Sequence, residues 1–269
     1  MPKRDFKDKV VIITGAAGGL GRALCRCFGE AGALVVGIDR AAQELECLAR
    51  AFQATPVRFT GHAGDVTDWE VTQKLVQKIL QDFGRIDVLI NNAGLSHRSR
   101  FAHTNIEVIR RVLAVNFFGA LNWTAAALPA LQQSRGMIIT LSSVAGFSPL
   151  LGRTGYAASK HALHGFFESL RPELEAEGVA IMLVCPSFID TAINKNALGA
   201  DGNPVRHEQV VVGRKMAPLA AAQRILQGAR REKQLLLVGN ISRLAYWLNR
   251  LAPRFYARGM ARRLRAEIE

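Results

Sequence analysis

Cysteine is scarce. The four thiols, Cys25, Cys27, Cys47 and Cys185, include no CxxC pair, and no histidines stand at zinc-ligand spacing. No metal site is therefore expected. Cys25 and Cys27 lie two apart in a helical stretch and face different directions. All four are expected as reduced thiols packed in the interior. Long apolar runs are missing too, since none approaches the roughly 18 uncharged residues of a membrane span. Met1 to Lys9 is short, polar and charged, with no apolar signal region, so a cytoplasmic location is expected. Acidic residues are few, 22 against 35 Lys and Arg, for a net charge of +13. From Arg206 onward there are 14 Lys and Arg against 4 Asp and Glu, so most of the excess sits in the last quarter. A basic tail points to an anionic partner, such as a lipid surface, nucleic acid or acidic substrate.

What remains is a chain with 49% apolar residues, enough for a full core. A length of 269 residues fits one large α/β domain. Short β-branched runs at Val10–Thr14, Leu34–Asp39, Val57–Thr60, Ile86–Asn91, Met137–Leu141, Val179–Val184 and Leu235–Val238 read as strands. Between them, Gly21–Ala31, Gln43–Ala51, Asp68–Phe83, Ile106–Leu131 and Tyr156–Glu177 carry apolar residues at helical spacing. Apolar strands interleaved with helices predict βαβ units, a buried parallel sheet, and right-handed crossovers that put helices on both faces. Residues 1–240 read as this domain, with a polar substrate loop at 192–218, and 241–269 as a basic amphipathic extension. A loop of that length is functional or disordered. No internal repeat stands out.

The turn Thr14-Gly15-Ala16-Ala17-Gly18-Gly19-Leu20-Gly21 leaves the first strand and opens the first helix. Thr14, Gly15, Gly19, Leu20 and Gly21 are candidate dinucleotide-binding residues. Gly15 permits the tight turn, Gly19 lets backbone approach a pyrophosphate, and Gly21 lets helix and strand pack closely. The helix end and its free N–H groups would face the phosphates. Asp39, closing the second strand, suits the two adenosine ribose hydroxyls and repels a 2′-phosphate, which favours NAD over NADP. Arg40 pulls the other way, because an arginine accommodates that phosphate. Gly18 offers no basic side chain and leans towards NAD. Asp65 and Val66 follow the third strand, where adenine would lie. Asn91-Asn92-Ala93-Gly94 ends the fourth, and Asn92, Ala93 and Gly94 allow a cofactor close against the backbone.

Tyr156 and Lys160 stand four apart in a helical segment, so they share a face. A free phenol, with a pKa of about 10, is a poor base at neutral pH. A neighbouring ammonium and an oxidised nicotinamide would both favour the phenolate and lower that value. Lys160 could also hold the nicotinamide ribose. Ser143 closes the fifth strand, at the sheet edge where ligands of such folds lie, and could hold a substrate oxygen as charge develops on it. Ser142 reads as a turn serine. Asn116 is polar within an apolar helix and could kink it and hold a water that relays protons to Lys160.

These motifs, TGxxxGxG, NNAG, the helix Asn, SSxAG and YxxxK, stand in one order and spacing from about Lys7 to Val238. In that set the chain resembles the short-chain dehydrogenase/reductase family. The resemblance implies a Rossmann-type, doubly wound, seven-stranded parallel sheet. It also implies a tetrad of Asn116, Ser143, Tyr156 and Lys160, with hydride transfer at the nicotinamide. Assembly as a dimer or tetramer through the Asn105–Leu131 and Tyr156–Glu177 helices is implied as well. Pro186 matches the turn after the sixth strand, and Ile189 and Thr191 match the positions that hold the carboxamide. One departure stands out: Ser187 replaces the family's usual glycine after that proline, so the turn beneath the nicotinamide is expected to differ slightly.

Leu95, Phe147, Leu150, Leu151, Phe188 and Ile193 are candidate pocket residues, and their apolar character suggests a lipophilic alcohol or ketone. Ser143 and Tyr156 would contact it. His97, His103 and His164 read as surface or supporting residues. The tail, whose apolar and arginine positions interleave around Pro253, resembles extensions in family members acting on steroids, retinoids or long-chain lipids. It suits a broken amphipathic helix on an anionic membrane, which would make the protein peripheral to it, or a helix pair packed on the body or on a second copy. Its aromatics look anchoring rather than stacking, so nucleic acid is not expected. The resulting expectation is NAD(H)-dependent interconversion of a hydrophobic secondary alcohol and its ketone. Two rivals stay open: an NADPH-dependent 3-oxoacyl-thioester reductase, and a non-catalytic dinucleotide sensor or membrane-surface scaffold.

Overall fold

Val- and Ile-rich runs bounded by glycine or charge form the strands, and the segments of helical period cover both faces of their sheet. The computed structural model describes residues 4–193, 196–205, 210–211 and 213–265. The strands are β1 (Val10–Thr14), β2 (Leu34–Asp39), β3 (Arg58–Ala63), β4 (Val88–Asn91), β5 (Met137–Leu141), β6 (Ala180–Pro186) and β7 (Leu235–Val238). They pair in parallel in the order β3-β2-β1-β4-β5-β6-β7. The order reverses between β1 and β4, and that switch point opens the crevice in which such sheets bind ligands.

The helices are α1 (Gly19–Glu30), α2 (Ala42–Gln53), α3 (Trp69–Phe83), α4 (Ile106–Leu113), α5 (Gly119–Ser134), α6 (Thr154–Glu175), α7 (Pro218–Arg230), α8 (Asn240–Leu251) and α9 (Pro253–Leu264). Alternate residues of each central strand serve opposite faces. Val11 and Ile13 pack with Leu24 and Phe28 of α1 and Ile225 of α7. Val10 and Ile12 pack with Ile79 of α3, Trp123 of α5 and Phe167 of α6. Each such side chain, wholly removed from water, contributes about 1.5–3 kcal/mol. β3 is an edge strand with a largely exposed pattern, and it starts one residue later and ends three later than the sequence predicts.

Contrary to the expectation that no such run exists, Ile106–Ser134 forms one helical rod of 29 residues, long and apolar enough by composition to cross a membrane. Its Trp123, Ala127 and Leu131 are instead buried in the core. Among the thiols, Cys25, Cys27 and Cys185 are buried, whereas Cys47 is exposed on α2, contrary to the expected packing role. The last two helices fold back over the carboxyl edge of the sheet. Ser242 Oγ donates to the Cys185 carbonyl at 2.7 Å and Asn249 Nδ2 to the Phe147 carbonyl at 2.8 Å. Tyr246 meets Phe147 edge to face, with ring centroids 5.2 Å apart. Ala252 alone is non-helical between α8 and α9, with Pro253 at the first position of the second helix, where its missing N–H costs nothing. Ile268, at the tail's end, lies outside the described residues.

Candidate active site

A single cavity of about 940 Å³ runs from the glycine turn after β1, past the ends of β4 and β5, to the underside of α8 and α9. At its first end Gly15 adopts φ +66°, and a Cβ there would lie 2.8 Å from the Ala93 Cα. Only glycine fits that turn against the β4 loop. The N-cap of α1 is Gly18, which offers no side chain to the first-turn N–H groups. α3 and α4 are capped, by Asp68 on the Val71 N–H and by Asn105 on the Glu107 N–H, each at 2.9 Å. The first turn of α1 also lacks an acidic residue. It therefore presents the unclaimed first-turn donors of Gly19, Leu20 and Gly21, and a positive helix end, to the cavity, while the Gly18 N–H closes the turn on the Gly15 carbonyl at 3.2 Å.

Asp39 accepts from the Ala17 N–H at 3.0 Å and the Ala41 N–H at 3.1 Å, which pins its carboxylate at the cavity wall with further lone pairs free. Arg40 is exposed beside it. Asp65, Val66, Asn92, Ala93 and Gly94 also line this half. A donor-rich helix end, a glycine rim and a fixed carboxylate fit the pyrophosphate and adenosine ribose of a dinucleotide. Thr14 does not reach the cavity. Its hydroxyl donates to the Ile90 carbonyl at 3.3 Å and accepts from the Asn92 and Ala93 N–H groups at 3.0 and 3.1 Å, bracing β1 to β4.

Midway along the cavity, β5 ends at Leu141 and Ser143 follows, accepting from the Ala145 N–H at 3.2 Å. α6 brings Tyr156 and Lys160 to the same wall. Ser143 and Tyr156 face the same stretch of cavity, and the Ser143 hydroxyl favours the ionised phenol. Lys160 Nζ donates to the Leu141 carbonyl at 2.7 Å and lies 5.8 Å from the centre of the Tyr156 ring. Burial raises the Tyr156 pKa above the ordinary phenol value, while the Ser143 hydroxyl and the charge of Arg153 pull it down. The expected lowering is thus not met by these side chains alone, because desolvation outweighs both. Burial also lowers Lys160, to about 8.

Between pH 8 and 10.5 the unfolded chain holds a proton on Lys160 that the folded chain has released, so folding stability rises with pH there. Below pH 8 both states are charged and the burial penalty is constant. Tyr156 has the opposite sign, and its stability contribution is lost as pH rises above the ordinary phenol value. Thermal melts of the cofactor-free protein from pH 7 to 10 should show Lys160→Met with the flatter profile. Parallel profiles for wild type and variant would contradict the buried ammonium.

Asn116 sits in a single π-helical turn, Ala114–Phe118, between α4 and α5. Its Oδ1 accepts from the Leu95 N–H at 2.7 Å, and its Nδ2 donates to the Leu95 carbonyl at 3.0 Å and to Ser159 Oγ at 2.9 Å. The polar residue does distort the helix, as its sequence context predicts, but it is buried behind the cavity wall and its side chain ties the β4 loop to α6. Ser187 donates its N–H to the Val238 carbonyl at 3.2 Å and its Oγ to the same atom at 3.4 Å, so the departure at this position fastens the turn to the end of β7. Pro186, Ile189 and Thr191 line the cavity, and Thr191 closes over Gly19.

Cys185, His164 and Glu168 form a chain, with Sγ to Nε2 at 3.4 Å and Nδ1 to Oε1 at 3.1 Å. The order resembles a nucleophile with its base, but burial pushes the thiol up to about 12, so it is not a thiolate at working pH. His97, expected as a surface or supporting residue, is wholly buried, and burial lowers it to about 4. His103 is exposed.

The family model described as short chain dehydrogenase matches residues 9–201. The chain belongs to the short-chain dehydrogenase/reductase family. Dehydrogenase/reductase SDR family member 7B of Bos taurus is 38% identical over 97% of this chain and 83% of its own length. A short-chain dehydrogenase of Streptomyces avermitilis is 26% identical, with a TM-score of 0.82 over 97% of this chain and 99% of that one. A short chain dehydrogenase/reductase of Burkholderia phymatum in complex with NAD is 23% identical, with a TM-score of 0.85 over 94% of this chain and 96% of that one. That last likeness shows the fold alone.

The protein is thus an oxidoreductase of that family with a nucleotide-binding Rossmann sheet. Beyond Tyr156, the cavity of this dehydrogenase/reductase is walled by Leu95, Leu150, Phe188 and Ile193, four of the six apolar residues the sequence singles out. Phe147 and Leu151 are not part of that wall. Phe147 carries Tyr246, and the Leu151 N–H meets Met260 Sδ at 3.1 Å, so both anchor the tail instead. Sequence reasoning missed Arg153, which is buried at the start of α6 and lines the cavity. It also missed the tail's share of the wall, Leu248, Tyr256, Met260 and Leu264 among others. The described part of the 192–218 loop is held down. Leu198 N–H donates to the Ser96 carbonyl at 2.9 Å, and Arg98 N–H to the Leu198 carbonyl at 2.8 Å. Residues 194–195, 206–209 and 212 of that loop lie outside the described residues.

Proposed function

We propose that the protein interconverts a hydrophobic secondary alcohol and its ketone with NAD(H), and that Tyr156 gives and takes the proton. The observation that carries this reading is the convergence of Tyr156, Ser143 and Lys160 on a cavity whose other end is the open helix terminus of α1. The Tyr156 and Ser143 hydroxyls hold a substrate oxygen between them. Ser143 donates to it as negative charge grows there, an interaction worth about 3–4 kcal/mol where such donors have been removed. Tyr156 delivers the proton in reduction and receives it in oxidation. Lys160, one turn along α6, holds positive charge near the phenol when protonated and favours its ionised form. A bound nicotinamide supplies or accepts the hydride. Asn116 acts by holding the β4 loop against α6, and so positions Lys160 rather than touching substrate. The apolar wall past Tyr156 supports a lipophilic substrate, and the tail excludes water from it.

Asp39 supports NAD over NADP, since its fixed carboxylate at the cavity wall would accept from ribose hydroxyls and repel a 2′-phosphate. Wild type should show kcat/KM for NADH at least about tenfold above NADPH, measured by absorbance with one ketone. Asp39→Ser should cut NADH efficiency by about 10–100-fold, the worth of a charge-assisted hydrogen bond. The same variant should raise NADPH efficiency, because Arg40 then faces the phosphate without a competing carboxylate. A wild type that prefers NADPH would overturn the cofactor reading and favour the 3-oxoacyl-thioester alternative.

A further inference from the structure

α8 and α9 cover the cavity with one face and leave the other face open. On that outer side Leu244, Trp247 and Leu251 recur at spacings of three and four, and Phe255 continues the stripe into α9. They are 66%, 58%, 79% and 70% exposed. Large apolar side chains left in water at helical spacing are a docking face, since scattered ones do not form a line. Leu244 and Phe255 belong to the cavity rim as well, so the stripe is continuous with the mouth of the pocket.

Charge chooses the occupant. Asn240 to Arg265 contains seven arginines and no acidic residue, and Arg243, Arg250, Arg254, Arg258, Arg262, Arg263 and Arg265 are all exposed. A second copy docked through this face in a two-fold dimer would set the same arginines against each other. An anionic lipid surface meets them with opposite charge and takes the apolar stripe into its acyl boundary.

We propose that the outer face of α8 and α9 seats the protein on an anionic membrane, with the cavity mouth opening onto the lipid. Docking itself needs no turnover. Only the delivery of substrate from lipid to Tyr156 rests on the catalytic reading above.

The experiment uses the full chain with vesicles of phosphatidylcholine alone and of phosphatidylcholine with about one-third phosphatidylglycerol. Flotation should recover the protein with the anionic vesicles, with at least about tenfold less on the neutral ones. Raising salt to about 0.5 M should release it, because screening then acts within a few ångströms. Trp247 emission should shift to the blue on binding, a change absent in Trp247→Phe. The double variant Trp247→Glu, Leu251→Glu, neither residue lining the cavity, should lose at least about tenfold in bound fraction. Its thermal melt, and its turnover of a small water-soluble ketone, should stay unchanged. Equal recovery on neutral and anionic vesicles, or none on either, overturns the proposal. So does a concentration-dependent dimer abolished by the same double variant, or displacement from anionic vesicles only by nucleic acid. Flotation that succeeds while no ketone is reduced would overturn the catalytic reading and leave docking standing.

Discussion

Gly21→Ala should lower the melting temperature by roughly 4–8 °C and abolish dinucleotide binding. Inside a helix this exchange ordinarily gains about 1 kcal/mol. Here an added Cβ would lie 2.0 Å from the Gly15 carbonyl oxygen, 2.8 Å from the Ala16 Cα and 2.9 Å from the Ala16 carbonyl oxygen. All three are backbone atoms of the cofactor turn, so no side chain can swing aside. Overpacking of this kind costs about 3 kcal/mol or more, which outweighs the helix gain. In a domain of this size each kcal/mol moves the midpoint by about 2–4 °C. Relief can come only by moving Gly15 and Ala16, which on the proposed reading shape the phosphate cradle. Gly165→Ala on α6 is the control, because nothing lies within 4 Å of its added Cβ. It should stabilise by about 0.5–1 kcal/mol. Calorimetry of the two variants, with NADH titrations, checks both signs. A Gly21→Ala protein that melts and binds like wild type would show that the turn is not held as described.

The glycine turn was legible because each of its glycines answers a separate steric demand. Four strands, three inside the sheet and β7 at its edge, were equally legible. Val10–Thr14, Leu34–Asp39, Met137–Leu141 and Leu235–Val238 begin and end where their β-branched or leucine runs do. β3 was harder, because an edge strand need not be apolar and Gly61-His62-Ala63 reads as loop. Tyr156, Ser143 and Lys160 were found as a set, since period 3.6 and a strand end bring them to one wall.

Other features needed the third dimension. The direction of the Tyr156 shift depends on burial, which no spacing reveals. Arg153 precedes a helix like any surface arginine, and only the fold places it beside a phenol. The tail offered two readings because both are present in its pattern. Ser242, Ala245 and Leu264 face the body, while Leu244, Trp247 and Leu251 face out. A helix with two apolar lines of different destination cannot be assigned from its sequence.

The larger effect is expected at the phenol. Tyr156→Phe removes one oxygen and keeps the ring, which packs against Val108, Val112 and Leu198. NADH affinity should change by no more than about threefold, because the hydroxyl is one contact in a cavity held mainly by backbone donors and Asp39. Turnover should fall by about 10²–10⁴-fold, the contribution of a positioned proton donor. Ser143→Ala would weaken oxygen polarisation and leave the donor in place, so it serves as the milder comparison. A dinucleotide sensor or scaffold predicts no turnover in wild type and no difference between the two proteins.

The decisive measurement follows a label. NADH carrying deuterium at both C4 positions is mixed with wild type or Tyr156→Phe and a panel of steroid, retinoid and long-chain ketones, and the products are weighed by mass spectrometry. Wild type should yield an alcohol one mass unit heavier at the carbinol carbon, while Tyr156→Phe, saturated with the same NADH, yields almost none. Labelled alcohol from the variant at the wild-type rate, or no labelled alcohol from wild type with any ketone, would contradict the assignment.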